Sequence, residues 1–267
     1  MSPRRARLPS SIFAPTAVDA RFVIEPILID LLADAREVCK LDDPLHAELF
    51  GAQLRITLCD VWRLLMDDPE RVMGRTLVKL VERRTRPDAL AVLSAVGATW
   101  PEPAARQAQA AVLRLIQRGV DKPSWIDAVG GVRFVAAKLG EGSHAGVRLL
   151  LTCFEYPRLR YHCFCVALDS NMGGIVKDVF VTEQVDEVFP TRSRHRRFPG
   201  LTFRRIEEAA AAAMIATGLE LRRSVSPEVS DFLGLDQDDQ VVLNLLEARL
   251  RVLPPAAKLE AGVRPAG

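Results

Sequence analysis

The sequence is poor in aromatics, lysine and catalytic motifs. Aromatic residues make up 6% of its 267 positions, with two Tyr and three Trp. A stacking platform for single-stranded nucleic acid is therefore thinly supplied. No apolar run is long enough to span a bilayer. The longest unbroken apolar stretch, Ala209–Ala216, is eight residues, where a spanning helix needs about 20. The sequence has no GxxxxGK[ST] phosphate loop, no GxGxxG after a strand, no HExxH zinc helix and no GxSxG nucleophile elbow. Nothing in it calls for a metal or a cofactor. The five cysteines (Cys39, Cys59, Cys153, Cys163 and Cys165) are odd in number and form no CxxC. That spacing argues against a secreted disulfide framework and for a reducing compartment. Arg4, Arg5 and Arg7 resemble the start of a signal peptide. The LPSSIFAPTAVDARF that follows has two Pro, an Asp and an Arg in place of an apolar stretch. The expectation is a soluble cytoplasmic protein.

What is present is ordinary globular sequence, with 49% hydrophobic and 26% charged residues. The length suits one large domain or two modest ones. The net charge of +2 conceals 30 Arg against 6 Lys, beside 33 Ala. Arg and Ala both have GC-rich codons, so part of the Arg excess reflects coding composition rather than affinity for phosphate.

Prolines punctuate the first half. Glu25-Pro26, Asp43-Pro44, Asp68-Pro69, Arg86-Pro87 and Glu102-Pro103 each precede helical periodicity. Proline is tolerated at the first helical position because its missing N–H would be unpaired there, and it pushes the preceding residue toward the extended conformation an N-cap needs. The apolar spacing predicts helices over about 26–40, 44–66, 69–84, 87–97 and 103–118, the last stopped by Gly119. Intervals between these prolines are irregular, which argues for an irregular helical domain over a solenoid, with a helix-pair array as the lesser alternative.

The pattern changes near residue 120. Val132–Leu139, Gly146–Tyr156, Tyr161–Leu168 and Ile175–Thr182 read as strands. The joining segments PRLR and DSNMGG are too short for a crossover helix, so the strands form an antiparallel meander of three or four. Thr202 is expected to cap a helix from Phe203 to Thr217 that ends at Gly218. Further helices are expected from Ser226-Pro227 and over about 238–253. The predicted fold is α+β: an irregular N-terminal helical bundle followed by a small antiparallel β-meander packed by C-terminal helices. Its expected parts are a flexible arm (1–20), a helical domain (21–120), an α+β domain (121–253) and a disordered tail (254–267).

Three groups of residues invite a functional reading. Lys177 and Asp178 interrupt an apolar strand, and burial of unpaired charge is expensive. With Asp169 and Asn171 they suggest a polar pocket for an enzyme or a small-ligand sensor. The competing reading is a salt bridge plus a turn shaped by Asp169, Asn171, Gly173 and Gly174. His162 lies at the other end of its strand from Asp169, roughly 23 Å by strand rise, so the two share no catalytic centre. Cys163 and Cys165 lie on one strand face, which Cys153 joins only if the hairpin loop has an odd number of residues. His162 always points the other way, so a tetrahedral metal site needs an irregular strand.

The strongest charge feature is basic. Arg192, Arg194, Arg196 and Arg197, then Arg204 and Arg205, fall between Val188 and Ile206 with no acid among them. They suit an acidic protein surface or nucleic-acid phosphates. The flanking Glu183, Asp186, Glu187, Glu207 and Glu208 favour instead a solvated, internally neutralised loop. Arg71, Arg75 and Lys79 make a second basic stripe, on one helix face. The expectation is a non-enzymatic binding or regulatory protein acting through the Arg-rich loop. The alternatives are the enzyme or sensor pocket and a nucleic-acid-binding regulator.

Overall fold

The computed structural model describes residues 19–59, 62, 67–142, 146–158, 160–189, 198–225 and 237–253. Five helices come first: α1 (Arg21–Lys40), α2 (Pro44–Cys59), α3 (Pro69–Val81), α4 (Pro87–Thr99) and α5 (Ala104–Gln117). The strands β1 (Arg133–Gly142), β2 (Val147–Tyr156), β3 (Arg160–Asp169) and β4 (Ile175–Thr182) follow. Then come the short helix α6 (Val185–Val188), strand β5 (Leu201–Ile206), and helices α7 (Glu208–Ser224) and α8 (Gln237–Leu250). The architecture is the expected α+β. Among the described residues no helix is long and apolar enough to cross a membrane.

The proline rule holds best at α3 and α4. Both carry Pro in their first turn, and the Asp68 carboxylate accepts the Arg71 N–H at 3.0 Å. It fails at α1, which starts five residues before Pro26 and contains it. Helix α4 is apolar nearly all round and sits at the centre of the bundle, as such a helix must. Trp100 and Trp125 fill the spaces beside it and satisfy their indole N–H groups on the Gly51 and Val38 carbonyls, at 2.9 and 3.1 Å. The basic stripe Arg71, Arg75 and Lys79 is exposed on α3.

The sheet has five strands in the order β4-β3-β2-β1-β5, every pair antiparallel. The four-stranded meander is as read from the sequence. The fifth strand is a correction. Thr202–Ile206 does not open a helix; Leu201–Ile206 pairs along β1 from Ala137 to Gly142, and α7 begins only at Glu208. The open edge of β1 needs hydrogen-bond partners, and that demand is invisible in local sequence. Gly218 does not end α7 either. It lies inside the helix, where a Cβ would stand 2.8 Å from the Gly174 carbonyl oxygen and 3.0 Å from the Val176 side chain. The glycine is there for close approach of α7 to β4. Gly218→Ala is expected to cost about 1–3 kcal/mol through overpacking, less up to about 1 kcal/mol returned by helix propensity. A lowered denaturant midpoint in urea is the check. The expected helix at Ser226-Pro227, residues 1–18 of the expected N-terminal arm and the C-terminal tail lie outside the described residues.

One face of the sheet packs on helices and the other on a short cover. Phe154, Phe164, Val166, Leu150 and Leu168 join residues of α7 and α8 in one core. Leu45, Ala52 and Ile56 of α2 belong to that same core, while Ala47, Leu54 and Leu58 of α2 belong to the helical one. Helix α2 is therefore shared, and packing continues across the change from helices to strands. On the opposite face, Leu151, Cys163, Cys165 and Phe203 are covered by Val188, Phe189 and Phe198.

Candidate functional site

Lys177 and Asp178 are both exposed, so the premise of a buried charge pair does not hold. Strand β4 is the outer strand of the sheet, and the register against β3 slips between Ala167 and Leu168. Lys177 falls at that bulge and Asp178 beside it. Charges and bulges are how sheets protect an edge. Asp169 accepts the Asn171 N–H at 2.9 Å and shapes a turn completed by Gly173 and Gly174, both at positive φ. Asn171 is exposed. Arg192, Arg194, Arg196 and Arg197 lie outside the described residues. Arg204 and Arg205 are exposed on the edge strand β5 rather than on a helix, and Arg204 stands 3.6 Å from Glu141.

The cysteine question is settled by a three-residue loop. Tyr156 pairs with Arg160, which places Cys153 directly opposite Cys163. All three cysteines thus share one sheet face and His162 points to the other. The Cys153 and Cys163 thiols stay protonated. The hydrogen bond with Cys165, followed by burial, raises Cys163 well above its ordinary value, and burial beside Glu155 pushes Cys153 up to about 11. Among the described residues no group of three His, Cys, Asp or Glu side chains suits a metal ion.

Charge gathers instead where α2 meets α8, at residues the sequence reading passed over. Glu48 of α2 is fully buried. Its carboxylate accepts from the Arg249 guanidinium, from the Tyr156 hydroxyl and, at 2.8 Å, from the Gly130 N–H. Arg249 of α8 is 2% exposed. It also donates to the Tyr156 oxygen at 2.8 Å and, through Nε, to His162 Nε2 at 3.1 Å. His162 is therefore the neutral tautomer with its proton on Nδ1, which has no hydrogen-bond partner among the described residues. Its ring stacks 5.6 Å from Phe154. Burial, then the Arg249 charge, holds the imidazole well below its ordinary value. The network joins α2, the turn at Gly130, β2, β3 and α8.

A second chain of charges runs alongside it and opens into a cleft. Arg55, about two turns along the same face of α2 from Glu48, donates to Glu70 of α3 at 2.7 and 2.9 Å and to Glu247 of α8 at 2.7 Å. Glu247 in turn accepts from Arg223 of α7 at 2.5 Å. Burial pushes the Glu247 carboxyl up, but Arg55 and Arg223 outweigh it and hold the group below its usual value. Burial likewise works against the Arg55 charge, and Glu247 and Glu70 more than compensate. These residues line a cleft of about 600 Å³ with Pro101, Leu219, Arg222, Gln240, Leu243 and Asn244. That is within the usual range for small-ligand sites. Asn244 is anchored by its Nδ2 on the Ala52 carbonyl at 3.4 Å. Arg222 donates to the Val176 carbonyl at 3.0 Å and has no ion-pair partner among the described residues. Burial lowers its affinity for the proton and Asp239 opposes this; a guanidinium stays charged regardless.

The sequence matches no protein-family model, and the chain has no match among curated proteins or solved structures.

The side chains of the cleft are ion-pair and hydrogen-bonding groups, and Arg55 and Arg223 hold Glu247 below its usual value, so that carboxylate is not poised to give or take a proton near neutral pH. One signal in the sequence pointed here. Glu48 stands between Leu45 and Ala52, and Arg249 three residues after Leu246, so each is a charge on an apolar helical stripe. A charge at such a position needs a buried partner.

Proposed function

We propose that the protein is a non-enzymatic binding protein whose ligand site is the cleft between α2, α3, α7 and α8. The ligand is a small polar molecule with an anionic group. The observation that carries this reading is Arg222. It offers a positive charge to the cleft, while every other charge on the wall is already spoken for by Arg55, Glu70, Glu247 and Arg223. A ligand seated there touches elements from both ends of the chain, which suits a sensor whose bound state is more rigid than its free state.

Calorimetric titration with inorganic phosphate, citrate and AMP is the test. At least one is expected to bind saturably, and Arg222→Gln is expected to weaken it about tenfold or more, the worth of a charge-assisted hydrogen bond. Thermal stability should be nearly unchanged, because the residue's hydrogen bond among the described residues is to a carbonyl. Failure of all three probes to bind, or equal affinity in the variant, overturns the reading.

A second reading keeps the Arg-rich segment. Arg204 and Arg205 project from an edge strand that is exposed to partners, and they continue the basic run Arg192, Arg194, Arg196 and Arg197. An acidic protein or nucleic-acid phosphates would meet them there, with binding that weakens steeply as salt rises.

A further inference from the structure

At the far end of the sheet from the Glu48–Arg249 network, a second cavity adjoins the Asp169–Gly174 turn. It measures about 200 Å³ and is walled by Leu168, Gly173, Gly174 and the α7 residues Ala210, Ala213, Met214 and Thr217, together with Arg148. Arg148 is on β2, opposite Leu168 of β3. Alternation along the strand turns it to the same face as Leu150 and Phe154, the face that α7 and α8 cover. It is an arginine at a core-facing position.

Its surroundings do not neutralise it. No carboxylate lies within ion-pair distance of Arg148 among the described residues, and its Nε is buried without a hydrogen-bond partner. A buried N–H of a charged group left unpaired is costly, and such groups in native proteins call for an ion, a water or a ligand. The remaining wall is almost wholly apolar or backbone. Gly174, at φ +94°, keeps the approach to the guanidinium open: a Cβ there would lie 3.6 Å from Arg148 Nη2. The alanines of α7 leave room between helix and sheet that larger side chains would fill.

We propose that this cavity is a binding site for a small monocarboxylate with a short apolar tail. A carboxylate matches the two-pronged edge formed by the two Nη groups of the guanidinium, whose Nε lies buried behind them. The tail fits the wall of Leu168, Ala210, Ala213 and Met214. The volume lies below the usual range for drug-sized ligands, which excludes nucleotides and favours a chain of a few carbons. The site shares no wall residue with the cleft of Arg222, and it stands or falls independently of that reading.

Butyrate is the probe, with butylamine as the charge-reversed control and full-length protein throughout. Butyrate is expected to bind saturably and butylamine not. Arg148→Gln should weaken butyrate at least tenfold, Ala213→Leu should abolish binding by filling the cavity, and Arg222→Gln should leave it unchanged. In the wild type, butyrate should also move the Arg148 Nε–Hε resonance, a readout that holds even where Arg148→Gln fails to fold. Absence of saturable butyrate binding overturns the proposal. So does binding that survives Ala213→Leu in folded protein, or that leaves the Arg148 resonance in place.

Discussion

Glu48→Gln is expected to destabilise the protein by about 3–5 kcal/mol, because it strands the Arg249 charge in a dry interior. Arg249→Met should cost a similar amount by stranding Glu48. Both residues are essentially without solvent contact. The expected signature is non-additivity. Combining Glu48→Gln with Arg249→Met removes both charges. It leaves an amide oxygen for the Gly130 N–H and a partner for the Tyr156 hydroxyl, so most of the lost stability should return. Urea denaturation of the two single variants and the double variant measures the coupling. Single variants within 1 kcal/mol of wild type, or a double variant as weak as the sum of the singles, would show that the pair is not the joint described above.

The second large effect is acid sensitivity through His162. Its unfolded-state pKa is the ordinary one, about 6.5, and burial beside Arg249 holds the folded value well below that. The folded chain therefore binds fewer protons than the unfolded chain as pH falls through 6.5. His162's contribution is fully present above pH 6.5 and is lost below it, by about 1.4 kcal/mol per pH unit, until the folded pKa is reached. His162→Gln keeps an acceptor for Arg249 Nε but does not titrate. As pH drops below 6.5 its stability should fall less steeply than the wild type's, by up to one proton's worth. Parallel curves would assign the acid sensitivity elsewhere.

Both predictions concern residues whose roles were only half visible beforehand. Local rules served well where local physics decides. The Asp68-Pro69 signal opens α3, Gly119 sits at positive φ after α5, and the short break between Tyr156 and Arg160 joins β2 and β3 as a hairpin. Long-range demands were not legible. Strand β5 exists because β1 has an edge to pair, and nothing within Leu201–Ile206 announces it next to the alanines that follow. Lys177 and Asp178 looked buried because their strand is apolar, and only the sheet order shows that the strand is an edge. Glu48 and Arg249 are 201 positions apart. Each is conspicuous as a charge on an apolar stripe, but their pairing depends on α8 folding back against α2. His162 was correctly kept out of a catalytic centre with Asp169, and its actual partner came from the last helix.

The same geometry explains why the cleft escaped notice. Its residues come from α2, α3, α7 and α8, and none belongs to a motif. Arg55, Glu70, Arg223 and Glu247 look like ordinary surface charges until the helices converge. Only then does Arg222 stand apart as the guanidinium of the cleft with no carboxylate in ion-pair contact among the described residues, Asp239 acting on it from farther off.

The central claim is that this convergence makes a rigid, charge-locked frame around one arginine available to a ligand. The most direct measurement follows the arginine Nε–Hε resonances of the full chain while inorganic phosphate, citrate and AMP are added in turn. The account predicts that Arg249 gives a protected, slowly exchanging signal throughout, and that Arg222 shifts saturably with at least one probe. An Arg249 signal that exchanges as fast as that of an exposed arginine, or an Arg222 signal unmoved by all three probes, would contradict it.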